Sequence, residues 1–122
     1  MIELPQANWP KESDDWKVVQ FYIEGEPYLR FGSFPQEYHK SIIMKTASSL
    51  RKECSMEKRG SKTLPVLESE WYKIPGMGSA KIDVETKTAV FLGNSFDYEI
   101  GIDAEHLEKI KPFCPEWNIK YR

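Results

Sequence analysis

"WKVVQFYIEGEPYLRFG", residues Trp16 to Gly32, decides the fold. Both halves are rich in β-branched and aromatic residues, and Glu24-Gly25-Glu26 interrupts them, which predicts two strands in a hairpin. Ahead of it, residues 1–15 carry Pro5, Pro10 and the run Glu12-Ser13-Asp14-Asp15. They read as an extended, loosely held arm, with a single domain over 16–122.

After the hairpin the period changes. Ile43, Ala47, Leu50 and Cys54 fall at i, i+4, i+7 and i+11, one face of an amphipathic helix over about 36–54, with His39 four residues before Ile43 on the same face. "SMEKRGSKT" (Ser55 to Thr63) is polar and reads as a surface loop. "LPVLESEWYKI", a break at Pro75-Gly76-Met77-Gly78, then "SAKIDV" and "KTAVFLG" give three more strands, the last two joined by a tight turn at Glu85-Thr86. "DAEHLEKIK" is a short helix with Asp103 as its N-cap. Pro112 and Pro115 end it, and "EWNIKY" is a closing strand. The order ββαβββαβ predicts an α+β domain, a mixed sheet of about six strands with two helices.

The 122 residues suit one hydrophobic core, and 40% apolar with 30% charged residues is the balance of a globular protein. A net charge of −2 leaves no excess of cations for a nucleic-acid backbone. The first nine residues lack a basic and apolar leader pattern, and no segment approaches the roughly 20 apolar residues of a membrane span. The expectation is a cytoplasmic monomer with no nucleic-acid or membrane partner. Cys54 and Cys114 have no CxxC spacing and read as thiols.

Four features bear on function. His39 stands where a turn becomes a helix; it is either a packing residue or a base, since free N–H groups and the helix dipole favour an anion and lower the pKa of a histidine there. Lys17, at a strand start, is either solvated or a cation for the same place. "GNSFDYEIG" (Gly93 to Gly101) is either an ordinary connection or a loop whose N–H groups cradle an oxyanion. Asp97, Glu99, Asp103 and Glu105 match no metal-ligand spacing, so no metal and no cofactor are expected. His106, flanked by Glu105 and Glu108, reads as a surface residue. Ser33-Phe34-Pro35-Gln36 matches a capping box, but a start near Gln36 or Glu37 is the expectation, leaving the Tyr38 and His39 amides unpaired.

In this order the features resemble the Janus-type protein phosphohistidine phosphatases, over about Trp16 to Tyr121. Lys17 in "DDWKVV" falls on the family's strand lysine and Glu37-Tyr38-His39 on its helix-opening Glu-Tyr-His. Gly76-Met77-Gly78 falls on its glycine-rich segment, and Gly93-Asn94-Ser95 with Tyr98 on its Gly-x-Ser loop. The resemblance implies a metal-independent phosphatase acting on phosphohistidine or another phosphoramidate, in a protein or a small molecule. His39 would be general base or acid and Lys17 the phosphate cation, with backbone donors at Tyr38, His39, Ser95 and Asp97. Asp97 and Glu99 stand where the family has a small residue and a glycine. Phe31 and Ser79 stand where it has arginines, and 52–74 is longer than its counterpart. A second implied reading is a Janus-fold module that binds an anionic or peptide ligand through the same pocket without turnover.

Overall fold

A computed structural model describes residues 4–33 and 37–122; Phe34, Pro35 and Gln36, including half of the capping-box pattern, lie outside the described residues. Strands β1 (Asp14–Ile23) and β2 (Glu26–Ser33) form the expected hairpin. Ile23 pairs with Glu26, so the loop is two residues long, and both of them, Glu24 and Gly25, have positive φ (52° and 84°). Such a turn matches the right-handed twist of its strands.

Helix α1 (His39–Ser49) follows, then a hairpin of β3 (Ser55–Arg59) and β4 (Lys62–Val66). Next come β5 (Tyr72–Asp83) and β6 (Thr88–Leu92), and a small pair of β7 (Asn94–Ser95) and β8 (Ile100–Gly101). Helix α2 (Ala104–Ile110), a 3₁₀ turn over Lys111–Phe113 and β9 (Asn118–Tyr121) complete the chain. The architecture is α+β: the described residues form a mixed five-stranded sheet in the order β2-β1-β5-β6-β9, two two-stranded sheets and two helices. Only β6 and β9 run parallel within the main sheet.

One helix covers each face of that sheet. Val19, Phe21 and Ile23 pack with Ile42, Ile43 and Ala47 of α1, whereas Val18, Leu29 and Phe31 pack with Leu107 and Ile110 of α2. A strand covered on both faces is buried at consecutive positions, which is why 18–21 is buried without interruption, with the polar Gln20 among apolar neighbours. Asp103 caps α2 as expected, its carboxylate accepting from the amide of His106 at 3.1 Å.

Several expectations are corrected. Ser55 to Thr63 is not a loop but most of the β3–β4 hairpin, turning at Gly60 (φ 62°). Every residue of β3 is exposed or partly so, hence no apolar alternation marks it. β5 does not break at Pro75-Gly76-Met77-Gly78. The β1–β5 register shifts between Gln20 and Tyr22, and Pro75, which has no N–H, falls in that irregularity where the ladder asks for none. The first helix stops at Ser49, followed by Arg51 in the left-handed region (φ 57°). The arm is not loose over residues 5–9. Gln6 accepts from the Leu29 amide at 2.7 Å, Asn8 hydrogen-bonds the backbone of Phe31, and Trp9 stacks on Trp117 with ring centroids 4.1 Å apart.

His106 is fully buried rather than on the surface. Its Nε2 lies 2.9 Å from the Phe21 carbonyl, which can only accept, so Nε2 carries the proton and Nδ1 accepts from Gln20 Nε2 at 3.1 Å. The Gln20 amide also bonds both backbone groups of Asp103, donating at 2.9 Å and accepting at 2.8 Å. One buried side chain therefore ties β1 to the start of α2. Gln20→Ala is expected to lower stability by roughly 2–4 kcal/mol in urea unfolding, because it leaves buried groups of Asp103 and His106 without partners. An unchanged midpoint would show the tie to be dispensable.

Candidate functional site

The start of α1 sets the geometry. Ser33 ends β2 and does not cap the helix; its backbone and hydroxyl instead meet Glu37, with Glu37 N–H donating to the Ser33 carbonyl at 2.8 Å. Tyr38 is the N-cap, extended at φ −107° and ψ 162°, and makes no side-chain cap bond. The helix thus begins at His39, slightly later than expected. Its first amides, those of His39 and Lys40, have no intrahelical acceptor, and no acceptor for them is found among the described residues.

The His39 side chain is half-buried, with Nε2 2.9 Å from the carbonyl of Gly78. The β5–β6 ladder runs from Ser79 to Asp83, so Gly78 lies one residue beyond it and its carbonyl is open to the helix. A carbonyl only accepts, so Nε2 is the protonated nitrogen and Nδ1 the basic one. Burial lowers the His39 pKa from its ordinary value; the Gly78 bond opposes this, nearby Lys17 adds to it, and Asp97 opposes it. His39 is therefore a neutral imidazole in one tautomer at neutral pH.

An open cleft of about 270 Å³ lies beside it, and the five residues expected to form a site all line it: Lys17, Tyr38, His39, Ser95 and Asp97. Lys17, opposite Ser79 on β5, holds its ammonium 4.5 Å from the centre of the Tyr38 ring, and Lys40 reaches the same ring at 5.7 Å. Cations over an aromatic face are attracted by its quadrupole, so Tyr38 gathers two lysines at one rim. Ser95 is buried, its hydroxyl accepting from the Tyr98 amide at 3.3 Å and its carbonyl from Glu99 at 2.9 Å. That turn leaves the amides of Phe96 and Asp97 without an acceptor among the described residues.

Two participants were missed by sequence reasoning. Lys40, one residue after His39, lines the cleft. Lys62, at the start of β4, pairs with Asp97 at 2.8 Å and holds its carboxylate below the usual range. Arg59 of the same hairpin donates to the Tyr98 carbonyl at 3.0 Å, and the Tyr98 hydroxyl donates to Pro65 at 2.6 Å. The β3–β4 hairpin is thus bound to the 96–99 turn and answers the charge of Asp97. Only the doubled cations of "KRGSK" hinted at this. Glu99 does not line the His39 cleft; it lies with Glu57 in a neighbouring depression beyond Phe96.

Among the described residues no group of three or more His, Cys, Asp or Glu is placed to hold a metal, and no helix is long and apolar enough to cross a membrane. No protein-family model and no curated protein matches the chain.

The charges around His39 predict its titration. In a ¹³C-resolved NMR titration its midpoint is expected below the ordinary 6.5; Lys17→Gln should raise it by removing a cation, and Asp97→Asn should lower it. A midpoint at or above 6.5 would mean that the ring is solvated and the Gly78 bond is not kept.

Proposed function

We propose that this protein is a metal-independent phosphatase of phosphohistidine, or of a similar phosphoramidate, related to the Janus-type enzymes. The observation that carries the reading is the His39–Gly78 bond at 2.9 Å, which fixes a neutral histidine in one tautomer at a helix start. A phosphoryl group spreads its charge over three equatorial oxygens and needs positioned donors more than covalent help. The amides that open α1, those of Phe96 and Asp97, and the ammonium groups of Lys17 and Lys40 surround one small cleft. That is the composition such a group requires.

In this mechanism Nδ1 of His39 takes a proton from the attacking water as its oxygen bonds to phosphorus and the N–P bond breaks. The imidazolium then returns the proton to the leaving nitrogen, so base and acid are one residue. Lys17 and the backbone donors hold the phosphoryl oxygens as the P–N bond lengthens. The lowered pKa keeps His39 in its basic form through neutral pH. An open cleft admits a histidine presented on a protein surface as readily as a small phosphoramidate.

Hydrolysis of a phosphohistidine-bearing protein and of phosphoramidate, followed by phosphate release, tests the reading. Turnover is expected to persist in EDTA, to fall at least 100-fold in His39→Ala, and to show an acid limb in kcat/KM below pH 6.5. Loss of turnover on chelation, restored by Mg²⁺ or Zn²⁺, would overturn the metal-free mechanism. Phosphate binding without any turnover would favour the binding-module reading instead.

The Lys62–Asp97 pair supplies a second test, because a bare carboxylate beside a phosphoryl site repels it. At low ionic strength Lys62→Ala is expected to weaken phosphate binding about threefold to tenfold, and the Lys62→Ala/Asp97→Ala double variant to return within about twofold of the parent. Equal weakening in both variants would mean that the lysine contacts phosphate directly.

A further inference from the structure

Arg30, on β2, is only 7% exposed, yet no ion pair to it is found among the described residues. Its guanidinium donates to the carbonyls of Leu29 and Pro5, both at 2.6 Å, and lies 5.7 Å from the centre of the Tyr28 ring. Those bonds staple the arm to the sheet and occupy two of its five N–H groups. They leave the charge itself unanswered, since a carbonyl is a dipole and not a counterion. A buried arginine is rare unless paired, because taking its charge out of water costs several kcal/mol. Here burial depresses the Arg30 pKa to about 10, so the group is still charged at neutral pH.

A cavity of about 420 Å³ adjoins this charge. It lies between α1, β2 and the arm, and shares no described lining residue with the His39 cleft. Leu4 and Ile42 give it an apolar wall, and Glu37 and Lys45 stand in its lining already paired with one another at 2.6 Å. Asn8 adds one amide N–H beyond the one it donates to Phe31. The hydroxyl of Thr46 donates to its own helix at Ile42 and that of Ser49 at Lys45, so both offer only acceptor lone pairs to the cavity.

We propose that this cavity is a binding site for a small organic carboxylate, whose anionic end meets Arg30 and whose apolar body rests on Leu4 and Ile42. The charge balance selects a monoanion. Among the described lining residues Arg30 carries the one charge without an opposite charge in contact, and a phosphate dianion would bring a second negative charge beside Glu37 into a half-enclosed space. A planar carboxylate also matches the guanidinium fork, which binds such groups through parallel N–H donors. An apolar wall suits a short aliphatic chain better than a fully hydrated ion.

The test is an NMR titration of the full ¹⁵N-labelled chain with sodium butyrate, alongside sodium chloride and inorganic phosphate. Butyrate is expected to give saturable shifts at the amides of Asn8, Thr46 and Ser49 with Kd of about 1 mM, at least tenfold tighter there than phosphate. Ser49→Trp, an exposed change at the cavity mouth, should abolish those shifts without touching Arg30. Arg30→Gln should weaken them tenfold or more; if that variant fails to fold, the Ser49→Trp result decides. No saturation by about 50 mM butyrate, equal shifts with chloride, or binding that persists in Ser49→Trp would overturn the assignment.

Discussion

The fold and the candidate site both depend on the space left by two glycines in β5. A Cβ at Gly76 would collide with the Gln20 amide and come within 2.7 Å of the Gly101 carbonyl and 2.8 Å of the Asp103 nitrogen. One at Gly78 would lie 2.6 Å from the Leu92 carbonyl and 2.8 Å from Ile102. Because neither residue has a side chain, the 92–103 segment can cross close over β5. That crossing lets Gln20 reach Asp103 and His106, and it brings Ser95 through Tyr98 against the start of α1. The same Gly78 offers its carbonyl to His39, so one residue both admits the loop and orients the ring.

Two chemically different places result along one helix. At its start, a neutral histidine, unclaimed amides and two lysines meet in an open cleft. Along its side, from Glu37 to Ser49, a buried guanidinium shares a separate cavity with Thr46 and Ser49. Positive charge is exposed and shared at the first, and enclosed and solitary at the second. The lysines of the first reach into solvent, whereas the guanidinium of the second is withdrawn from it.

The β3–β4 hairpin changes the electrostatics that the resemblance alone implies. Read as a residue in a loop, Asp97 opposes any anion at His39. In three dimensions Lys62, 35 positions earlier, takes up that carboxylate at 2.8 Å, and Arg59 holds the carbonyl of its neighbour Tyr98. The hairpin thus neutralises the carboxylate of the turn beside it. Phe96, 94% exposed, is left at the ridge between the His39 cleft and the depression under the hairpin.

Local patterns in the chain determined a great deal. The Glu24-Gly25 turn between apolar runs specified the first hairpin, the 3.6-residue spacing of Ile43 and Ala47 specified α1, and Asp103 specified the start of α2, because backbone geometry and capping act over a few residues. The five residues suspected of forming one site do line one cleft. What tertiary structure alone decided were the pairings between distant positions. β3 carries no buried face to give it a period, Pro75 is tolerated only because a register shift in β1 lies opposite, and His106 is buried only because Gln20 waits 86 residues earlier with a donor for Nδ1. Lys62 with Asp97, and Arg30 with no carboxylate partner among the described residues, are likewise facts of packing. A charge is answered or stranded by what folds against it, and no local pattern in the chain records that.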